Sequence, residues 1–269
     1  MEHKVAISYI ARPILFSIVV PTKDNLSEFR VTIDSIFSEA PPGAEIIIVD
    51  SSNPPIPSPE IQRINDSRFI VRLVHIEPRG IFEAINDGIK LAKGNWIVVL
   101  TAGDGFVSGA RQWLESLDAS TEDVHVFSQN VLDPEYSFLY QYNPTDRSVW
   151  PHQSVVVRSN VYSTHGLYDV QFRVSADARF FAKIRLSTNY LIRPEALTFF
   201  CLGGISSQFS IRSSMEITLL HRQMGRSTLY SLWRGFISPL LRSLLVTMLG
   251  QKSASIIKTT FLSYYKIRK

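Results

Sequence analysis

Apolar positions along the first hundred residues switch repeatedly between short β-branched runs and helical spacing. Phe16 to Val20 predicts a strand that ends at Pro21-Thr22, and Glu45 to Val49 predicts a second that ends at Asp50. Between them, Ser27 to Glu39 places Phe29, Ile33, Ile36 and Phe37 on one helical face. Prolines 54, 55, 57 and 59 enforce an extended loop before a short helix near Glu60 and a third strand, Phe69 to Ile76. Ile81, Phe82, Ile85, Ile89 and Ala92 then recur at helical spacing up to Lys93, and Gly94 suits the left-handed position that stops a helix. Trp96 to Leu100 is too short and too β-branched for another helix and reads as a fourth strand.

This β-α-β-α-β-α-β alternation predicts an α/β protein with a doubly wound, mostly parallel sheet flanked by helices. Open α/β sheets bind ligands in the crevice outside the carboxyl ends of their strands. At that edge the chain offers Thr22, Asp50, Arg79 with Gly80, and Asp104, which are expected to converge although no two strand ends are neighbours in sequence. No GxGxxG follows the first strand and no GxxxxGK[ST] occurs anywhere, so neither a dinucleotide fold of the Rossmann type nor a P-loop is predicted.

With 269 residues, 45% of them apolar, the chain fits one large α/β domain or a domain with an appendage. Its single cysteine, Cys201, excludes an internal disulfide. Val5 to Ala11 is too short for a signal-peptide core and lacks a basic start, so a cytoplasmic body is expected.

Charge divides the chain. From Ile217 onward there are nine Lys and Arg and no acid, which leaves nineteen basic against twenty-four acidic groups in the first 216 residues. The body is net acidic, against a nucleic-acid-binding role, and the basic tail is expected to face something anionic. We therefore divide the chain into a body, 1–216, and a helical, amphipathic tail, 217–269. In the tail, Ser227 to Gly250 is rich in apolar residues but interrupted by Arg234, Pro239 and Arg242, far short of the ~20 residues of a membrane span. Trp233 and Phe236 beside Arg234 and Arg242 fit a segment lying in a membrane interface. A helical hairpin packed on the body or on a dimer partner is the competing reading.

Candidate chemistry sits on the predicted edges. A carboxylate such as Asp104 at a strand's carboxyl end can hold a divalent cation against a diphosphate. Asp50, at the end of the second predicted strand, can cap its own loop in an Asx-turn before the prolines. Asp177 lies near the start of a helix whose Phe180, Phe181 and Ile184 face the core. His152 and Gln153 follow Trp150-Pro151 and precede an apolar strand, Ser154 to Val157. Asn86, in mid-helix, reads as a structural clamp. The other histidines form no HxxH or His/Cys cluster, so no zinc site is expected.

Taken together, SIVVPTKDN, IIIVDSS, EPRGIFEAINDGIKLAKG followed by LTAGD, PHQSVVVR, GLYDVQFRVSADARFFAKI and GGIS at 203–206 resemble, in order and spacing, the family 2 glycosyltransferases of the GT-A fold. The resemblance covers about residues 14 to 216 and is greatest to bacterial exopolysaccharide and O-antigen transferases of the colanic-acid type. It implies an inverting enzyme that transfers a sugar from a nucleotide-sugar, a UDP-sugar favoured, to a glycan acceptor in surface polysaccharide biosynthesis. By the same resemblance Pro21, Thr22, Asp50, Arg79 and Gly80 bind the donor, and Asp104 holds Mn²⁺ or Mg²⁺ at the position of the DxD motif. Asp177 matches the second acid of the ED motif and is the expected general base. His152 and Gln153 fall on the acceptor or diphosphate side. With the basic tail, the implied acceptor is polyprenyl-diphosphate-linked and the implied location is the cytoplasmic face of the inner membrane. A catalytically silent nucleotide-sugar-binding protein is the other class these motifs allow.

Overall fold

The computed structural model describes residues 14–146, 148–203 and 210–249. The apolar stretch at 5–11, residues 204–206 of the GGIS motif and the basic tail beyond 249 lie outside the described residues. The elements expected from the hydrophobic pattern are present: β1 (Phe16–Thr22), α1 (Leu26–Glu39), β2 (Glu45–Asp50), α2 (Ser58–Arg63), β3 (Ile70–His75), α3 (Ile81–Leu91) and β4 (Trp96–Val99). There follow β5 (Gly105–Phe106), α4 (Ala110–Glu115), β6 (Val124–Leu132), β7 (Phe138–Tyr142), β8 (Val155–Arg158), α5 (Ser159–His165), α6 (Ala176–Ile184) and β9 (Tyr190–Cys201). The C-terminal helices are α7 (Ile211–Gln223), α8 (Thr228–Leu232) and α9 (Ser238–Leu249).

One nine-stranded sheet runs β3-β2-β1-β4-β8-β6-β9-β5, with β7 paired to β6. The first four strands are parallel, as the βα alternation predicts. The second half is mixed: β8 is antiparallel to β4 and β6, and β9 is parallel to β6 but antiparallel to β5. β6 and β7 are joined by the short turn 133–137, which only an antiparallel pair permits.

β1, β2 and β4 are buried along their whole length because helices cover both faces of the sheet. Phe29, Ile33 and Ile36 of α1 pack on Ile18, Val20, Ile46 and Ile48. On the opposite face Phe82, Ile85 and Ile89 of α3 meet Val19 and Val99, and Phe180, Phe181 and Ile184 of α6 join the same cluster. Asn86 is the clamp expected of it: its amide donates to Tyr168 O at 2.8 Å and accepts from Tyr168 N at 3.0 Å.

Two details differ from the sequence reading. α3 ends at Leu91, with Ala92 in extended conformation, so Gly94 is not its left-handed stop. Its smallness serves close packing instead: a Cβ there would lie 2.6 Å from the backbone of Phe16 and Ser17, and its N–H donates to Ser17 Oγ at 2.8 Å. Pro239 widens the tail rather than breaking it. A π turn at Trp233–Ile237 runs from α8 into α9 immediately before the proline, where the ring would clash with the carbonyl of a normal α-turn.

α7 spans position 216/217, where the charge division falls, and its N-terminus is fixed by a capping box between Ser210 and Ser213. Among the described residues no helix is long and apolar enough to cross a membrane.

Candidate active site

Strand register assembles one side of the crevice. Thr22 lies beside Asp50, and Asp50 beside His75, at the carboxyl ends of β1, β2 and β3. The TAGD loop joins them, since Ala102 N donates to Pro21 O at 3.3 Å. Thr22 is buried, and its hydroxyl has no hydrogen-bond partner among the described residues. A buried hydroxyl left unpaired carries a desolvation penalty that a ligand could relieve. Asp50 is also buried, and its carboxylate accepts from Ser52 N at 2.9 Å, Ile56 N at 2.8 Å and His75 Nδ1 at 3.4 Å. The loop-capping arrangement considered for Asp50 is therefore the one present without a donor.

The TAGD loop is shaped by α1. Gly103 takes a positive φ of 96°, which favours glycine, and its N–H donates to Thr32 Oγ1 at 3.0 Å. That hydroxyl donates in turn to Asp104 O at 2.6 Å. The Asp104 side chain thereby points into the protein, where it accepts from the Thr101 hydroxyl, from Gln153 Nε2 at 2.9 Å and from Cys201 N at 3.3 Å. Burial pushes its carboxyl up to about 6, against the downward pull of the Thr101 and Gln153 hydrogen bonds, of nearby His152 and of the Cys201 N–H.

The opposite side is built on one 3₁₀ turn, His152–Ser154, entering β8. Its Gln153 reaches Asp104, and its His152 reaches Asp177, with Nδ1 2.7 Å from Asp177 Oδ2. Asp177 is in the first turn of α6, where its other oxygen accepts from Ala178 N at 2.8 Å and the helix end favours its negative charge. His152 Nε2 is buried and has no partner among the described residues. Two adjacent residues thus connect carboxylates that are distant in sequence.

Arg79 is not drawn into this arrangement. It is exposed and bonds Asp87 of α3 at 2.6 Å. Gly80 caps α3 at a positive φ of 151°, with the Glu83 carboxylate 2.2 Å from where a Cβ would stand. Sequence reasoning missed His75, Thr32, Thr101 and the Cys201 N–H. His75 was within reach of it, because two parallel strands ending at Asp50 and near Ile76 place that histidine beside the aspartate.

A single-carboxylate cation site fits Asp104. Among the described residues its Oδ1 takes only the long bond from Cys201, which leaves a lone pair for a cation whose remaining ligands would be phosphate oxygens and water. Among the described residues no three His, Cys, Asp or Glu side chains cluster to make a site from protein alone.

Residues 17–129, from β1 into β6, match the family model described as "Glycosyl transferase family 2". Over those residues the chain is similar to the family 2 glycosyltransferases. Asp50 and Asp104 lie within the matched residues, whereas His152, Gln153 and Asp177 lie beyond them. The chain is also similar to the PGL/p-HBAD biosynthesis glycosyltransferase of Mycobacterium bovis, at 25% identity over 189 residues covering 66% of this chain and 73% of that protein. The protein of the same name from Mycobacterium tuberculosis matches to the same extent.

Solved structures confirm the GT-A fold of this glycosyltransferase. S. aureus TarS 1–349 in complex with UDP-GlcNAc has a TM-score of 0.61 at 14% identity, covering 88% of this chain and 76% of that one. Mannosyltransferase PcManGT from Pyrobaculum calidifontis, in complex with GDP-Man and Mn²⁺, has a TM-score of 0.60 at 16% identity, with 93% and 79% covered. The chain spans 41% of a longer TarS chain.

Proposed function

We propose that this glycosyltransferase is inverting and moves one sugar from a nucleotide-sugar, a UDP-sugar favoured, to a lipid-linked glycan acceptor in surface polysaccharide biosynthesis. The observation that carries the reading is the turn His152-Gln153, which joins Asp104 on the diphosphate side to Asp177 at the mouth of α6. Asp177 takes the proton of the acceptor hydroxyl as that oxygen attacks the anomeric carbon from the face opposite the departing diphosphate. The hydrogen bond from His152 fixes which carboxylate oxygen is presented, and the other oxygen is held by Ala178 N in the first turn of α6. Asp104 would hold Mn²⁺ or Mg²⁺, which when bound neutralises charge on the leaving diphosphate.

On the donor side, Pro21, Thr22 and Asp50 stand at the strand ends and Gly80 at the start of α3, and Arg79 exchanges Asp87 for phosphate. UDP is favoured because an Asp50 carboxylate suits the ring N–H of uracil. TarS bound to UDP-GlcNAc and PcManGT bound to GDP-Man and Mn²⁺ support a nucleotide-sugar and a divalent cation. The two mycobacterial relatives, named as PGL/p-HBAD biosynthesis glycosyltransferases, support glycosyl transfer within a biosynthetic sequence.

The tail supports a place for the enzyme on the acceptor's membrane, at the cytoplasmic face. Met215, Leu219, Leu229, Trp233, Ile237 and Leu244 are exposed along α7 to α9, while Arg222 and Arg234 stand exposed among them. An apolar face edged by arginines and an indole suits an anionic membrane interface. Asp177→Asn should abolish transfer while leaving nucleotide-sugar affinity nearly intact, because it removes a base and no donor contact. Loss of both would return Asp177 to a structural role.

A further inference from the structure

The segment 166–175 leads from α5 into α6 and delivers Asp177, and side chains from elsewhere hold it at both ends. Near its start Tyr168 is gripped by Asn86 of α3. Near its end Glu216 of α7 accepts from three successive backbone groups: Arg173 N at 3.1 Å, Val174 N at 2.9 Å and Ser175 N at 3.1 Å. Ser175 Oγ adds a fourth bond to the same carboxylate at 3.2 Å.

Ser175 is the N-cap residue of α6, yet its hydroxyl does not cap that helix; it turns to Glu216 instead. The first turn of α6, with Asp177 in it, is therefore oriented from α7. Glu216 itself is 6% exposed, and Arg212, one turn earlier on α7, bonds its Oε1 at 3.2 Å and Gln171 O at 3.2 Å. A buried carboxylate that satisfies three consecutive N–H groups fixes backbone position more tightly than an exposed ion pair does, because each donor left unpaired would be costly. The residue before it and the residue three further on, Met215 and Leu219, face outward. One helix thus holds the base's segment on its inner face and presents the apolar surface on its outer one.

We propose that Glu216 is a positioning residue for the transfer step: through Arg173, Val174 and Ser175 it fixes Asp177 against His152, and it makes α7 part of the catalytic unit. The inference rests on the reading of Asp177 as the base.

The test is nucleotide release from the tightest binder among UDP-GlcNAc, UDP-glucose and GDP-mannose, with Mn²⁺ and with water as acceptor, in the full chain. Glu216→Gln keeps the size but replaces one acceptor oxygen by an NH₂ group facing backbone donors. It should lower kcat by about 10- to 100-fold, the scale of a displaced catalytic group, and leave donor KM and nucleotide Kd within about twofold. Arg212→Ala keeps the buried bonds and covers the case in which Glu216→Gln does not fold; it should lower kcat about threefold with the same unchanged KM. Unchanged kcat in both variants overturns the proposal. So does a parallel loss of kcat and nucleotide affinity, which would mark Glu216 as support for the fold at large. If Asp177→Asn is inactive while the Glu216 and Arg212 variants turn over normally, only the inference on Glu216 fails. If Asp177→Asn is active, the assignment of the base fails.

Discussion

His152 and Asp177, twenty-five residues apart in sequence, share a 2.7 Å hydrogen bond, while His152 Nε2 is buried without a partner among the described residues. The bond fixes the Asp177 carboxylate from one side as the α6 helix end does from the other. His152→Ala should therefore lower the transfer rate by roughly 10²-fold, as expected when a catalytic group loses its orientation. Nucleotide binding measured by calorimetry should change little. An equal fall in both would move His152 to the donor site.

Asp104 gives the protein a pH-dependent stability. Its carboxyl rises from the ordinary 3.8 to about 6 on folding, so the folded state prefers the protonated form. That stabilisation is complete below pH 3.8 and is lost as pH rises through about 6. In the absence of a divalent cation, Asp104→Asn should melt above the wild type at pH 7 to 8 and level with it near pH 4, because it removes a buried charge. With Mn²⁺ present the wild type should gain stability above pH 6 and the variant should not. Melting curves across that range, with and without Mn²⁺, decide it; a Mn²⁺ gain retained in Asp104→Asn would move the cation elsewhere.

Thr22→Val replaces a buried, unpaired hydroxyl by a methyl group of similar shape. The unliganded fold should be unharmed, since no hydrogen bond among the described residues is lost. Donor affinity should fall about tenfold, the worth of one hydrogen bond of ~1.4 kcal/mol. Calorimetry on the two proteins measures the difference, and equal affinity would remove Thr22 from the donor site.

Co-sedimentation with vesicles tests the tail. The protein should bind phosphatidylglycerol vesicles and much less to phosphatidylcholine. Reversing Arg222 and Arg234 to Glu should weaken the anionic binding by 10²-fold or more, each basic group near such a surface being worth about 1 kcal/mol. Binding that ignores lipid charge would leave the apolar face of α7 to α9 to another chain.

The parallel half of the sheet was legible because its strands are buried on both faces and stand out as β-branched runs between helical periods. The ends of those strands carried Thr22, Asp50 and Asp104 into view with them. The mixed half was less legible, since β7 and β9 are largely half-buried and their residues announce no face. The bond from Gln153 to Asp104 depends on how β8 returns beside β4, and the grip of Glu216 on residues 173–175 depends on where α7 docks. Neither has a local signature. Gly94 illustrates a subtler gap: the sequence marked a glycine at the end of a helix, and only the approach of Phe16 and Ser17 shows why nothing larger fits.

The central claim, a glycosyltransferase that binds a nucleotide-sugar at the strand ends and transfers with Asp177 as base, is tested most directly by titrating the purified protein with nucleoside diphosphate sugars in the presence of Mn²⁺. The account predicts saturable binding of at least one UDP-sugar with equal affinity in wild type and Asp177→Asn, and release of the nucleotide over time by the wild type alone. Absence of binding to every nucleotide-sugar, with and without Mn²⁺, would contradict it.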